Sequence, residues 1–327
     1  MRKINQSLWS QIFTLAVCGL VLIIDLLLIH AAGTVFRSQI PFFQLADRQD
    51  ENVVAMEVEP EPAAFPGVVD LTPSPATRLY MILGSDFRPE SGYRTDVIML
   101  VAVDSLSGKV SLVSFPRDLW VTIPGYFEER INAVMQVGGF QLLANTMQTN
   151  FGIYPTDYVL VDMEGFLDTV DVLGGVTFET DFQTADACDS SLDPDRWCEV
   201  GPGKVTLDQD WALWYVRARY NSSDFDRLRR TQEVVQAVAK KVISPAGWLK
   251  WPALMDVYAS DVESSLSPDE LLPFIRFAFG FNPDEDIRHY SIGPNEAVGY
   301  TTAGGAQVLL PNIPLIQTIL QQAITFE

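Results

Sequence analysis

The sequence predicts an α/β fold: a three-layer αβα domain around a central mixed sheet, preceded by one N-terminal transmembrane helix. Three observations predict it. Near-continuous apolar runs of strand length open the globular part, at RLYMILG (78–84), DVIMLVAVD (96–104) and KVSLVSF (109–115). Strand-like and helix-like segments then alternate, which argues for a sheet covered by helices. Residues 8–36 form a mostly apolar stretch long enough to cross a ~30 Å hydrocarbon core as one helix.

Arg2 and Lys3 precede that stretch. The positive-inside bias therefore leaves residues 1–7 as a cytoplasmic tail and the rest outside, so the expected location is the cell membrane, single-pass, with an extracytoplasmic C-terminal domain. Asp25 lies past the midpoint and little more than one helical turn from His30, so both can reach the outer interface. A cleaved signal peptide is the alternative, with the alanines after His30 as its cleavage site. The apolar region exceeds the about 7–15 residues of a signal h-region, which favours an uncleaved anchor. Residues 37–77 turn acidic and proline-rich and read as a stalk, leaving 78–327 as the folded domain.

Within that domain, INAVMQVGGFQLLANTMQTNFG (131–152) has helical spacing at Val134, Val137, Leu142 and Leu143, with Gly138 and Gly139 as a bend. DYVLVDM (157–163) reads as a strand, GFLDTVDVLGG (165–175) as a short helix and GVTFET (175–180) as a strand. DQDWALWYV (208–216) and residues 223–242 read as helices, the second opened by Ser223 and Asp226 placed like a capping box. SPDELLPFIRFAF (267–279) has a similar start signal. Strand candidates at 287–293 and 306–310 and a helix at 313–324 close the chain.

The formal net charge of −20 repels polyanions and excludes generic nucleic-acid binding, so any anion site must be local. One is suggested by VRARYNSSDFDRLRR (216–230), which gathers Arg217, Arg219, Arg227, Arg229 and Arg230. Arg217 and Arg219 alternate with Val216, Ala218 and Tyr220, a period that in an extended stretch points both to one side. On the following helix Arg227, Arg230 and Thr231 share a face, while Arg229 points elsewhere. Surface ion pairs with Asp224 and Asp226 are the bland alternative. Lysine supplies only six of the 22 basic residues, however, and arginine's bidentate fork suits phosphate.

Further charges converge on the same end of the sheet if the first three strands are antiparallel neighbours. Asp86 and Arg88 follow the first strand, Arg94 and Asp96 precede the second, and the third delivers Pro116, Arg117 and Asp118. Cys188 and Cys198 bracket a polar loop, CDSSLDPDRWC, that a disulfide in an oxidising compartment would close, worth about 3 kcal/mol. Zinc is the rival, though no histidine lies nearby.

GSDFRPESGYRTDVIMLVAV (84–103), SFPRDLWVTIPG (114–125), ERINAVMQVGG (129–139), VDVLGGVTF (170–178) and LDQDWALWYVRARYNSSDFDRLRRTQEVV (207–235) resemble the successive motifs of the LytR-CpsA-Psr family of bacterial envelope phosphotransferases. The resemblance implies transfer of a glycopolymer, such as teichoic acid or capsule, from a polyprenyl-pyrophosphate carrier to a peptidoglycan sugar hydroxyl as a phosphodiester. It implies that Asp86 and Asp96 hold Mg²⁺ (or Mn²⁺) and that Arg117, Arg217, Arg219 and Arg227 grip the phosphates. Arg88, Asp118, Asn132 and Arg230 would orient these groups, with Arg94 beside them. Thr231 stands where the family commonly has glutamine, so its hydroxyl would have to replace that contact. A hydrophobic pocket for the lipid is implied too, with INAVMQVGGFQLL, DWALWYV and LLPFIRFAF as candidate linings, although ordinary core looks the same in a sequence.

The chemistry is consistent with this. Phosphoryl transfer asks mainly for positioning and for positive charge, and magnesium needs only one or two carboxylates besides phosphate oxygens. Two alternatives remain open: a receptor or scaffold for anionic lipid-linked wall polymers without turnover, and a polyprenyl-pyrophosphate hydrolase. Serine- and zinc-hydrolase chemistry lacks its histidines; His289, in a predicted strand far from the motifs, reads as structural.

Overall fold

The computed structural model describes residues 67–88, 92–220, 223–267 and 281–326. The anchor expected over 8–36, the cytoplasmic tail, most of the stalk and most of the helix expected over 267–279 lie outside the described residues. Among those described, no helix is long and apolar enough to cross a membrane.

Three long apolar runs build the centre. β1 (Thr77–Arg88) pairs antiparallel with β2 (Gly92–Asp104), which pairs antiparallel with β3 (Val110–Phe115). β4 (Trp120–Thr122) and β5 (Glu128–Arg130) form a hairpin after β3. β6 (Asp157–Val161) joins β1 in parallel. A second region carries the pair β7 (Val176–Thr180) and β10 (Gly203–Leu207), with the hairpin β8 (Thr184–Ala187) and β9 (Trp197–Val200) between them in sequence. β11 (Val262–Ser264) pairs antiparallel with β6, and β12 (Ile287–Ser291) pairs parallel with β3. The central sheet is therefore mixed, in the order β11-β6-β1-β2-β3-β12. β13 (Ala297–Thr301) and β14 (Gln307–Pro311) make a final hairpin.

Helices cover both faces, which explains why the central strands read as apolar runs and not as alternating patterns. On one face Met81, Leu83, Ile98, Leu100 and Phe115 pack against Leu143, Met147 and Phe151 of α1 (Val134–Phe151) and Ile316 and Leu320 from the C-terminal helix. On the other, Tyr80, Met99, Val101 and Leu112 meet a layer that includes Val235. That layer comprises α2 (Met163–Leu173), α3 (Gln209–Arg217) and α4 (Asp224–Val242), with α5 (Trp251–Asp261) packed beside α2. The C-terminal helix, α6 (Ile313–Ile324), completes the first layer. Three layers and a mixed central sheet are as expected.

Four local expectations change. β1 and β2 continue past their apolar cores as a paired ribbon, so Asp86, Arg88, Arg94 and Asp96 lie within strands, not beyond their ends; backbone pairing needs no apolar side chains. The folded unit starts before Arg78: Leu71 is buried and its N–H donates to the Gly152 carbonyl at 2.7 Å, so residues from Leu71 onward belong to the folded unit and not to the stalk expected over 37–77. The expected bend in α1 is a break, with Gly139 at φ 67°, and Val137 just before it is exposed instead of facing the core. The stretch from Arg217 is not extended throughout, because α3 runs to Arg217 and the chain leaves helical geometry only from Ala218, at φ −52° and ψ 137°.

Candidate functional site

Asp96 owes its place to a register shift. Gly84 pairs with Val97 and Ser85 with Thr95, which leaves Asp96 as the extra residue of a bulge in β2. Bulges re-aim side chains next to sites. A Cβ on Gly84 would stand 2.9 Å from the Val97 Cβ, closer than real contacts allow, so this glycine permits the strands' approach beside the bulge. Asp86 pairs with Arg94 in the same ribbon, and Arg88 with Gly92.

The loop after β3 returns to this point. Arg117 Nη1 donates to Asp96 Oδ1 at 2.9 Å, and its Nε lies 3.4 Å from Asp118 Oδ2. Asp118 Oδ1 is in turn 3.3 Å from Arg130 Nε. One carboxylate thus stands between two guanidiniums. The Arg117 carbonyl accepts the Asn132 N–H at 3.2 Å, and the Asn132 carbonyl accepts the Thr95 hydroxyl at 3.3 Å. Asn132 is buried. It ties the loop to β2 through its backbone, which fits an orienting position.

The turn between α3 and α4 brings the other arginines. Arg217 ends α3 and Arg219 follows it, both exposed, while Arg227 is buried on α4. Ser223 and Asp226 form the expected capping box at the start of α4. Arg230 is buried and donates to the Ala218 carbonyl, so it acts on the turn. Burial foremost, and then the Arg229 charge, lower its pKa from the ordinary arginine value. Arg229 points elsewhere, pairing with Glu233 at 2.5 Å over the Phe182 ring. Thr231 gives its hydroxyl proton to the Arg227 carbonyl at 2.9 Å, and Gln232 turns to Ser114 and Tyr290 at 2.8 Å each. That bond occupies the one proton of the Thr231 hydroxyl, although the side chain lies on the cavity lining.

Asp96, Arg117, Asp118, Asn132, Arg217, Arg219, Arg227 and Thr231 line one cavity of about 740 Å³ between the sheet and α2, α3 and α4, whereas Arg229 and Arg230 are not on its lining and the side chains of Asp86 and Arg88 lie outside those described. Among its described lining residues are six arginines, at 94, 117, 130, 217, 219 and 227, against three carboxylates, Asp96, Asp118 and Asp162. Positive charge therefore prevails at this spot in a strongly acidic chain. Below that rim the walls are apolar: Ile82, Val97, Val159, Val161, Met163, Phe166, Leu213, Val216, Val234, Val235 and Val238. Short valines predominate where longer side chains would have closed the layer. The arrangement can hold an amphiphile with an anionic head and an apolar tail. No group of three or more His, Cys, Asp or Glu side chains among the described residues could hold a metal alone. A magnesium ion here would draw on substrate phosphates and water besides carboxylates, a donor set that suits it.

Of the expected apolar linings among the described residues, DWALWYV contributes Leu213 and Val216; LLPFIRFAF lies outside the described residues. INAVMQVGGFQLL supplies Asn132 alone, because its apolar residues are spent on the opposite face of the sheet. Two residues that matter here are not singled out by the sequence analysis: Arg130, on the cavity lining, and Asp186, behind it. Arg130 sits within ERINAVMQVGG, one of the motifs that resemble the family, and could have been found there. Asp186 has no local signal. Its carboxylate accepts the backbone N–H groups of Arg219 and of Tyr220, the latter at 3.1 Å. Burial works to raise the Asp186 pKa, but the amides of Arg219, Tyr220 and Ala187, and then the Arg230 charge, outweigh it and hold the carboxyl below its ordinary value. The Cys188–Cys198 disulfide is formed and closes the β8–β9 hairpin.

The LytR_cpsA_psr family model matches residues 68–307. Over 232 residues the chain is 29% identical to the regulatory protein MsrR of Staphylococcus aureus (strain COL), covering 69% of this chain and 68% of that one. Over 199 residues it is 30% identical to polyisoprenyl-teichoic acid–peptidoglycan teichoic acid transferase TagU of Oceanobacillus iheyensis, covering 58% and 59%. Among solved structures it resembles B. subtilis TagV, with a TM-score of 0.64 at 22% identity over 78% of this chain and 99% of that one. TagT bound to LIIa-WTA is similar, with a TM-score of 0.62 at 22% identity over 80% and 94%. These two establish likeness of fold.

Proposed function

The chain belongs to the LytR-CpsA-Psr family, and from that membership we propose that it is a membrane-anchored phosphotransferase moving a glycopolymer from a polyprenyl-pyrophosphate carrier to a peptidoglycan sugar hydroxyl. The observation that carries the proposal is a cavity that combines an arginine rim with an apolar interior. A pyrophosphate fits the first part and a polyprenyl chain the second. The name of the relative TagU supports peptidoglycan as acceptor and a polyisoprenyl carrier as donor.

In this reading Arg117, Arg217, Arg219 and Arg227 neutralise the pyrophosphate and hold it in line with the acceptor. The acceptor hydroxyl oxygen attacks the phosphorus that bears the glycan, and its proton passes to the departing phosphate or to water. The bond from that phosphorus to the bridging oxygen breaks, and polyprenyl phosphate leaves with the electron pair. Arginine charge is placed where the bridging oxygen becomes more negative, which lowers the barrier without a covalent protein intermediate. Asp96 and Asp86 would hold magnesium or manganese with the phosphate oxygens, and the ion would supply further charge neutralisation.

The test uses the full chain in detergent with a polyprenyl-pyrophosphate glycan and peptidoglycan fragments, with magnesium or a chelator, and follows products by mass spectrometry. A metal-dependent adduct joining glycan to peptidoglycan through phosphate, lost in Arg117→Ala and Asp96→Ala, is expected. Glycan phosphate released without adduct would point to hydrolysis, and binding without turnover to a receptor.

A further inference from the structure

We propose that Asp186 is a positioning residue for the arginine clamp: it holds the turn after α3 so that Arg219 faces the cavity, and the disulfide-closed hairpin is its mount. The inference rests on the phosphate-binding reading of Arg219 given above.

The need for such a group follows from the chain path. Ala218 leaves helical geometry, which takes the next two amides off the carbonyls of α3. Both find one acceptor, Asp186 Oδ2, a residue 33 and 34 positions earlier in the sequence. The other carboxylate oxygen accepts the Ala187 N–H at 2.7 Å, so Asp186 is itself held. A carboxylate suits this task, since charge-assisted bonds to amide N–H groups are the stronger kind.

The hairpin supports Asp186 in three further ways. Asp186 stands opposite Cys198 in the β8–β9 pairing, two residues from the Cys188 end of the disulfide. Trp214 of α3 donates its indole N–H to the Ala187 carbonyl at 3.1 Å. The Trp197 ring meets the Tyr220 ring edge-on, with centroids 4.9 Å apart. The turn bearing Arg219 is thus gripped from the hairpin through both backbone and side chain. An exposed arginine has many rotamers; fixing its backbone limits the positions its guanidinium can reach, which is what preorganisation of a phosphate clamp requires.

The test compares wild type, Asp186→Ala, Asp186→Asn, Arg219→Ala and the double variant Asp186→Ala/Arg219→Ala as full chains in detergent. Hydrogen exchange by mass spectrometry reads the amides of Arg219 and Tyr220, and calorimetry reads the affinity for inorganic pyrophosphate. Asp186→Ala should speed exchange at those two amides and weaken pyrophosphate binding about tenfold. Asp186→Asn, which keeps one acceptor oxygen, should fall between; it also carries the comparison if the alanine variant does not fold. In the Arg219→Ala background, loss of Asp186 should weaken binding no further. Unchanged exchange at Arg219 and Tyr220, or an equal loss of affinity without Arg219, would overturn the proposal. Should the wild-type chain bind no pyrophosphate, the phosphate reading fails by itself, and exchange still decides whether Asp186 holds the turn.

Discussion

Arg117 donates to Asp96 across 2.9 Å, joining the loop after β3 to the bulge in β2. The pair places a cation and an anion side by side on the cavity wall, so neither side chain acts alone. One member stands in β2 and the other just past the end of β3, and they meet because β2 and β3 are antiparallel neighbours.

Replacing either member should therefore cost transfer rate, on the order of 10²–10³-fold if each acts on the developing charge. The double variant Asp96→Ala/Arg117→Ala should lose less than the product of the single losses, because each single change already breaks the shared contact. Initial rates of adduct formation for the three variants check this, and strict multiplicativity would count against coupling.

Gly84→Ala would thrust a methyl group against Val97. Overpacking of this kind costs roughly 1–3 kcal/mol, and here it also pushes on the bulge that aims Asp96. Denaturant unfolding should show the loss of stability, and the transfer assay should show a drop in rate beyond that caused by unfolded protein.

Val238→Phe would enlarge a side chain on the apolar wall of the cavity. With a long polyprenyl donor the KM should rise about tenfold, while a donor with a short prenyl group should be used nearly as before. Equal effects on both donors would mean that the lipid lies elsewhere.

Asp226 sets a pH dependence. The Ser223 N–H foremost, then the Ser223 hydroxyl and the Arg229 and Arg230 charges, hold its carboxyl below the ordinary 3.8, against burial that works the other way. With the folded pKa below the unfolded one, the carboxylate's contribution is complete above pH 3.8 and is lost as pH falls through the folded value. Asp226→Ala should cost about 1 kcal/mol near pH 6, as for a lost helix cap, and the gap from wild type should close in strong acid. Unfolding curves across that range check the sign.

Features made by neighbours in the chain are legible in the sequence. The capping box of Ser223 and Asp226 spans three residues, and the bend at Gly138 and Gly139 follows from glycine's freedom at positive φ. The three apolar runs are the central strands, because residues buried on both faces leave that mark in order along the chain. The convergence of Asp96 and Arg117 on one region of the sheet is foreseeable from the order of the strands, although Asp96 lies within β2 and not before it, and the motifs that resemble the family contain the cavity's arginines. Other features belong to no single segment. The bulge at Asp96 exists only in the register of two strands, and Asp186 reaches Arg219 from a hairpin far back in the chain. Val159, Val161, Val235 and Val238 look like core in the sequence and line a cavity in the fold. Hydrophobic pattern records which side chains avoid water, whereas whether facing layers meet or leave room depends on the summed shapes of residues that packing alone brings together.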